Sequence, residues 1–460
     1  MRSRFFNFLE PSPGIAMQME LLVRCLGGVL ALRALKLLLM HASYVERTTL
    51  LFDYWLFGWL PRPPAAGVYA LLATTIVCGV AMALTKSATT LRNALVVGAT
   101  GWSYFFLLDK AFYGNLNYLL VCLLWTLVLT RAWRAVDRST SSQMRPIDLG
   151  AVQMLIALMY FYAGVVKLSA DWLSGDVLAE FLTISPAPGP LAAILANRPT
   201  LVALAFGGAL FDLSIGPLLC WKRTRRKALW LVAGFHITNF IVLDVPEVAL
   251  AMLALTGAAF APSGFAKKLL KYDKMEHAPA TTSSQIMRRE HVADALLLSW
   301  LALHILLPLR PYLPDGEDHR WTHTSQDFSW WLRSTHMSST IRFDVRIDDA
   351  PAYKVDVSQY VDVVEQRAFA LDPYLITQFV HHLHERLRAT HPQARAIRIE
   401  VTSTARLNRC EEQAFVRSEV DLIQEPLRYD MHHVLHPLDH TTCRTFDTLF
   451  TDPHEKSPGT

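Results

Sequence analysis

The sequence predicts a multi-pass α-helical membrane bundle of about nine spans, followed by a small extramembrane α+β domain. The 460-residue chain is 52% hydrophobic and 18% charged, whereas soluble globular chains carry roughly 25% charged residues. Long apolar runs fill the first two thirds of the chain, as in polytopic membrane proteins. Beyond about residue 310 the charge density rises and the apolar runs shorten. We therefore predict a transmembrane domain over 1–310 and an extramembrane domain over 311–460.

Nine apolar runs are candidates for membrane-spanning helices. They lie at about 17–40, 66–84, 93–108, 116–130, 148–168, 200–220, 228–243, 247–262 and 292–309. A tenth apolar stretch, TLLFDYWLFGWL at 49–60, is too short to span and ends at a proline-rich turn. This stretch predicts an interfacial or re-entrant segment.

Basic residues predict the orientation of the bundle. They cluster at 2–4, 86–92, 131–145, 222–227 and 267–289. With nine spans and a cytoplasmic N-terminus, all five clusters fall on the cytoplasmic side, as the positive-inside rule requires. The connections near 109–115, 167–176 and 243–247, and everything after 310, then lie outside. Because the net charge is a modest +4 and its basic residues sit in short loops, we expect a lipid bilayer and no nucleic acid as partner.

The extramembrane part mixes two periodicities. Residues 340–348 and 394–402 alternate apolar and polar side chains and predict strands, whereas 370–391 has the apolar spacing of a helix. The six cysteines have no metal-ligand spacing, so we predict no metal. Cys410 and Cys443 can form a disulfide if this part of the chain lies outside the cytoplasm.

The segment YFYAGVVKLSADWLSGD, residues 160–176, carries a lysine at the outer end of the fifth predicted span. Helical spacing places Tyr160, Gly164, Lys167 and Asp171 on one face. The small residues one turn before the lysine leave room for another helix or for a flat ligand ring. Apolar walls favour the uncharged amine, which is a usable general base. The alternative is an ammonium group that reaches the outer membrane interface.

Other polar residues in or beside the spans are candidates for the same outer site. They are Asp109, Lys110, Asn115, Asp212, His236 and Asn239. The first two can instead pair or be hydrated at a helix end. Asp212 can bind a ligand or pair with a basic neighbour within the bundle. An intramembrane histidine such as His236 usually faces the bundle interior.

The lysine segment resembles the vitamin K-dependent γ-carboxylase family, in which an AGV-K-K-L-x-A-D-W pattern contains the catalytic lysine. Here Val166 stands in place of the first lysine and Lys167 in the catalytic position. Further segments are similar to that family in the same order: YFFLLDKAFYGNLNYL, FDLSIGPLL, GFHITNF and WTHTSQDFSWWLR. The resemblance covers most of 20–340 and extends to the broader horizontally transferred transmembrane (HTTM) domain group, to which the carboxylase membrane domain belongs.

The resemblance implies a specific reaction. The family oxidises vitamin K hydroquinone with O2 to the epoxide, which supplies the strong base that removes a γ-proton from peptidyl glutamate, and CO2 then adds to give γ-carboxyglutamate. A cofactor must supply such chemistry because no side chain is basic enough. The implied partners are a secreted or extracytoplasmic glutamate-containing protein and a quinone reductase that recycles the epoxide.

The resemblance also implies roles for particular residues. Lys167 is the expected catalytic base. The expected quinone-binding residues are Tyr160, Gly164, Trp172, His236, Asn239, Phe328 and Trp330. The expected supporting polar residues are Asp109, Lys110, Asn115, Asp171 and Asp212.

One departure from the family pattern bears on CO2 transfer. The family has a second functional histidine in a segment that ends in a VD pair, and the corresponding stretch here is LTRAWRAVD at 129–137. Ala132 or Arg134 takes the place of that histidine. Two alternatives to the carboxylase therefore stay open: a non-carboxylating quinol-binding or quinol-oxidising HTTM membrane protein, and a non-enzymatic membrane interaction protein.

Overall fold

A helical bundle and a small sheet domain make up the computed structural model. It describes residues 13–40, 50–137, 144–184, 189–195, 197–242, 245–270, 284–313, 318–332, 334–361, 366 and 368–443. The helices of the bundle are α1 (Pro13–Met40), α2 (Ala65–Leu84), α3 (Ala88–Leu107), α4 (Asn115–Leu129), α5 (Pro146–Val166), α6 (Ala170–Leu173), α7 (Asp176–Ile184), α8 (Pro190–Leu195), α9 (Arg198–Cys220), α10 (Arg225–Val242), α11 (Pro246–Phe260), α12 (Ser263–Leu269) and α13 (Ser284–Leu306). A helix coincides with each of the nine predicted apolar runs.

Four segments of the described chain are long and apolar enough to cross a membrane. They are α2, α5, α9 and the stretch His291–Tyr312. Helices α11 and α12 pass the same criterion together, but they are bent by 111° at the break between them. Charged residues such as Arg24 and Arg33 interrupt the apolar character of α1. The full count of nine spans and the cytoplasmic N-terminus therefore stay predictions.

The close contact of α5 with α9 positions the candidate site. A Cβ on Gly164 of α5 would lie 2.7 Å from Leu213 Cγ and 2.8 Å from the Leu213 backbone nitrogen. A Cβ on Gly216 of α9 would lie 3.1 Å from Ala157 Cβ. Small residues at such crossings let two helix backbones approach each other. The sequence left open whether the space beside Gly164 holds another helix or a flat ligand ring, and in the structure it holds α9.

Helix α5 ends one residue before the lysine. Lys167 is the C-cap residue, and its backbone N–H donates to the carbonyls of Gly164 and Val165. Ser169 then begins the short helix α6, and its side chain accepts from the Trp172 N–H at 3.3 Å. The expectation that Asp171 continues the helical face of Lys167 is therefore wrong, because the chain changes direction between them.

The C-terminal part forms the predicted α+β unit. Its four-stranded antiparallel sheet has the order β2-β1-β3-β4, and the chain also forms α14 (His319–Thr322) and α15 (Pro373–Thr390). The strands are β1 (Met337–Ile347), β2 (Tyr353–Lys354), β3 (Ile397–Leu407) and β4 (Gln413–Ala414). The two long strands pair from Met337↔Leu407 to Ile347↔Ile397, at the positions that the alternating patterns predicted.

Helix α15 packs on the sheet through aromatic side chains. Phe379 lies 4.7 Å from Phe343 and 5.2 Å from Phe369, measured between ring centroids. A disulfide joins Cys410 to Cys443, which confirms the pairing that the sequence suggested.

Packing between the two parts crosses the predicted boundary at residue 310. Leu50, Phe52 and Ala111 belong to the hydrophobic core of the sheet domain, whereas Trp330 belongs to the core of the bundle. Residues 50–60, from the stretch predicted to be interfacial or re-entrant, are therefore held at one end by the sheet domain, while Trp59 in their turn is 74% exposed. The boundary itself stays a prediction.

Candidate functional site

A cavity of about 600 Å³ opens where α5 ends and α4 begins. Pockets of this size accommodate drug-sized ligands. Its walls come mainly from α1, α4, α5, α9, α10 and α11, and residues of α6, α7 and α8 and Leu332 of the C-terminal part also line it. The polar and charged residues in these walls are Arg33, Asn115, Asn117, Tyr160, Lys167, Asp212, His236, Thr238, Asn239 and Glu247.

Lys167 and Asp212 form an ion pair in the cavity wall. The Lys167 ammonium donates to the Asp212 carboxylate, and the two residues are 8% and 2% exposed. The Lys167 Nζ lies 4.9 Å from the Trp172 ring centroid and 5.8 Å from that of Phe235, within the range of cation–π attraction. The sequence left open whether Asp212 binds a ligand or pairs with a basic neighbour, and in the structure it pairs with Lys167. Two opposite charges that share a dry site stabilise each other.

Tyr160, His236 and Thr256 form a second buried polar group. The Tyr160 hydroxyl lies 2.7 Å from His236 Nε2 and 3.2 Å from Thr256 Oγ1. The other ring nitrogen of His236, Nδ1, is buried and has no hydrogen-bond partner among the residues that the structure describes. Unpaired buried polar atoms are costly, and this one belongs to a side chain that lines the cavity.

Aromatic rings and glycines shape the apolar part of the cavity. The Trp172 indole is fixed against α9 by its N–H, which donates to the Ala205 carbonyl at 2.9 Å. A Cβ on Gly208 would contact Trp172 at 3.7 Å, and one on Gly207 would meet no atom within 4 Å. Phe235 stacks on Phe211 at 3.9 Å. The resulting flat, apolar walls suit a planar ring.

The sequence analysis missed a second charged group in the cavity wall, which contains Arg33 and Glu247. Arg33 donates from Nε to Asn117 Oδ1 at 3.0 Å and from Nη1 to Glu247 Oε2 at 2.5 Å. Lys36 forms an ion pair with the same glutamate. The sequence did contain a signal of this group, because Arg33 and Lys36 lie three residues apart inside the first apolar run. Cations within a membrane helix need anionic partners from the rest of the bundle.

The structure brings seven of the predicted site residues to the cavity. They are Asn115, Tyr160, Lys167, Trp172, Asp212, His236 and Asn239. The other six do not line it: Gly164, Asp109, Lys110, Asp171, Phe328 and Trp330.

Lys110, Phe328 and Trp330, three of those six, take part in contacts between the bundle and the C-terminal part. Lys110 Nζ lies 2.5 Å from Asp372 and 3.2 Å from Asp327. Although burial opposes it, these carboxylates raise the pKa of Lys110. Phe328 and Trp330 pack on Tyr118, with centroid distances of 5.2 and 4.5 Å.

Asp109 and Asp171 hold backbone and side-chain groups near these contacts. Asp109 Oδ1 accepts from the Ala111 N–H at 2.9 Å and caps the turn Lys110–Phe112. Asp171 accepts from Arg320 at 3.1 Å and from Asn408 at 2.8 Å. Burial raises the pKa of Asp171, although both partners oppose the shift.

The two positions expected to take the place of the family histidine lie away from the cavity. Ala132 and Arg134 belong to a short 3-10 helix that follows α4, and neither lines the cavity. The cavity adjoins the first residues of α4, and the 15 residues of that helix separate the two sites by roughly 20 Å. The exchange at 132 or 134 therefore removes no group from the cavity wall.

Comparison with known protein families identifies both parts of the chain. The HTTM domain matches residues 16–263, and the vitamin K-dependent gamma-carboxylase lumenal domain matches residues 289–441. The chain belongs to the vitamin K-dependent gamma-carboxylase family. The HTTM match and the apolar helices together identify an integral membrane protein, and membership of the carboxylase family implies dependence on vitamin K.

One further comparison and one observation of the structure bear on this carboxylase-family protein. No solved structure matches the chain. The described ranges contain no group of three or more His, Cys, Asp or Glu side chains that could hold a metal ion.

Proposed function

We propose that the protein is a γ-carboxylase-like membrane enzyme, which oxidises vitamin K hydroquinone with O2 to the epoxide and couples this oxidation to γ-carboxylation of peptidyl glutamate by CO2. The observation that carries the proposal is the buried Lys167–Asp212 pair in a cavity of about 600 Å³, within a chain of this family. We further propose that the C-terminal domain is extracytoplasmic, that the glutamate-containing substrate is a secreted or extracytoplasmic protein, and that a quinone reductase recycles the epoxide.

The cavity residues fit a quinol. Trp172 and Phe235 offer apolar faces to a bicyclic ring, and the glycines at 207 and 208 leave space beside it. His236 lines the cavity, and a turn of its ring would bring the buried Nδ1 to a ring oxygen of the quinol. Oxidation of the bound hydroquinone supplies the strong base that deprotonation of the glutamate requires.

The ion pair gives Lys167 a place to put a proton. In this proposal Lys167 Nζ accepts a hydroxyl proton from the ring after passing one of its own protons to the Asp212 carboxylate. The pair then holds one more proton than before, and Nζ remains the atom in contact with the ligand. Asp212 thus acts through Lys167 as a positioning residue and proton acceptor.

Exclusion of water is the second contribution of the protein. Both members of the pair are almost fully buried, and Leu332 of the C-terminal part is among the apolar residues that line the cavity. A dry site strengthens the charge interactions within it and protects a strong base from water.

A second candidate is quinol oxidation without carboxylation on the same scaffold. Ala132 or Arg134 in place of the family histidine favours this candidate. Since neither position lines the cavity, the carboxylase remains our first proposal. A non-enzymatic interaction protein would give the buried pair no chemical role.

Purified protein in nanodiscs, supplied with vitamin K hydroquinone, O2, labelled bicarbonate and a glutamate-containing peptide, tests the proposal. We expect epoxide and labelled peptide from the wild type and neither from Lys167→Ala. Epoxide without labelled peptide would identify the non-carboxylating enzyme. If the folded wild type forms neither epoxide nor labelled peptide with any of several peptides, both catalytic proposals are refuted.

A further inference from the structure

Arg33 and Lys36 form a cationic clamp, of which Arg33 lines a different wall of the cavity from the Lys167–Asp212 pair and Lys36 pairs with the same glutamate as Arg33, Glu247, beside it. Both cations come from α1, and both bind the carboxylate of Glu247 at the start of α11. Arg33 and Glu247 line the same cavity as Lys167. The clamp therefore presents a bound carboxylate to the proposed reaction space.

The clamp and Glu247 together carry an excess of positive charge. Two cations share one glutamate, and the Arg33 side chain is 20% exposed. Its Nε and Nη1 donate to Asn117 and Glu247, while Nη2 makes no hydrogen bond within the ranges that the structure describes. A guanidinium can donate two parallel hydrogen bonds to the two oxygens of one carboxylate, and Nη2 of Arg33 could supply one of them.

Glu247 is suited to leave the clamp. Its side chain is 35% exposed, and ion pairs that are partly exposed contribute little to stability. It also lies in the first turn of α11, where the helix dipole stabilises a carboxylate that has moved away from the cations. The buried Asp212 has neither property.

We infer that Arg33 and Lys36 form the carboxylate subsite for the substrate, which Glu247 fills in the resting protein and which the glutamyl side chain fills in its place. This inference rests on the proposed function for the identity of the ligand as a peptidyl glutamate. Glu247 is then an internal competitor of the substrate, and it returns to the clamp when the product leaves.

The chemistry of the reaction gives the clamp a further use. When the γ-proton leaves, the electron pair of the broken C–H bond spreads on to the two carboxylate oxygens, and that pair then forms the new bond to CO2. Fixed cations beside those oxygens stabilise charge where it develops. The product carries two carboxylates, and the clamp holds two cations.

Direct peptide binding tests the inference without any turnover. A fluorescent peptide with one glutamate, and the same peptide with glutamine, are titrated against the full-length protein in nanodiscs without quinol. The wild type should bind the glutamate peptide more tightly. Arg33→Gln should weaken this binding roughly 10- to 100-fold, the range of a charge-assisted hydrogen bond, and should abolish the preference. Glu247→Gln should tighten it by up to roughly tenfold, since the competitor is gone.

Arg24→Gln is the matched control. Arg24 lies on the same helix, has the same side-chain exposure of 20% and pairs with Glu20, but it does not line the cavity. This variant should keep the wild-type preference. If Arg33→Gln does not fold, Glu247→Gln alone decides the question, because a purely structural ion pair predicts no tighter binding when it is broken.

The outcomes separate the inference from the proposed function. Preference for glutamate that depends on Arg33, without any carboxylation or epoxide, would support the subsite and refute the enzyme. Carboxylation with equal binding of both peptides, or with a preference that Arg33→Gln keeps, would overturn the subsite and leave the enzyme. Bicarbonate that competes for the clamp at millimolar concentration, while the glutamate peptide does not, would assign the clamp to that smaller anion and overturn the inference.

Discussion

Removing one member of the Lys167–Asp212 pair should cost more stability than removing both. The side chains are 10% and 3% exposed, so Lys167→Met or Asp212→Leu leaves a nearly buried charge without its partner. Such a loss costs about 3–5 kcal/mol in free energy of unfolding. The double variant Lys167→Met/Asp212→Leu buries no charge, and we expect it to be more stable than either single variant.

The exposed pair of Arg62 with Asp53 provides the control. Its side chains are 47% and 28% exposed, so Arg62→Met should cost less than about 1 kcal/mol. Unfolding of each variant in mixed detergent micelles, followed by tryptophan fluorescence, gives the free energies.

Activity separates the chemical role of the pair from its structural role. All three variants at Lys167 and Asp212 should form no epoxide, although the double variant regains stability. A double variant that is less stable than both single variants, or one that still oxidises the quinol, would refute the reasoning.

Three other changes have expected outcomes. Gly164→Ala should lower the free energy of unfolding in detergent by about 1–3 kcal/mol, since the new Cβ would lie 2.8 Å from the Leu213 backbone nitrogen. Gly150→Ala is the control and should be neutral or stabilising, because its new Cβ would meet no atom within 4 Å. Equal effects of the two changes would contradict the contact between α5 and α9. Burial lowers the pKa of His323 to about 4, below the usual value of about 6.5. Stability should therefore fall by about 3 kcal/mol as the pH drops from 6.5 to 4, because the unfolded chain gains the proton first. His323→Asn, suited to the left-handed backbone at φ 56°, should flatten that profile, and an unchanged profile would assign the pH dependence to other groups. Asp171→Asn should raise hydrogen exchange in α6, since it weakens the ion pair to the C-terminal part, and unchanged exchange would contradict that coupling.

Local sequence patterns predicted the elements well because hydropathy and alternation are local properties. The run at 200–220 became Arg198–Cys220, and the alternating run at 394–402 became most of Ile397–Leu407. The number of spans is harder to predict, because charged residues within a helix such as α1 weaken its apolar character without preventing its burial.

Contacts between distant residues could not be predicted from these patterns. Lys167 and Asp212 are 45 residues apart, and Arg33 and Glu247 are 214 apart. The sequence analysis named Lys167, Asp212 and His236 as site residues, and the structure brings all three to one cavity, although their roles stay predictions. It also grouped Asp171 with them, and the end of α5 before Lys167 turned that side chain toward the C-terminal part.

A cryo-electron microscopy structure of the protein in nanodiscs with a bound naphthoquinone tests the central claim most directly. The account predicts density for the ring in the cavity, beside the Lys167 Nζ and between Trp172 and His236. A ring bound elsewhere, with the Lys167–Asp212 pair undisturbed and the cavity filled by lipid, would contradict the account.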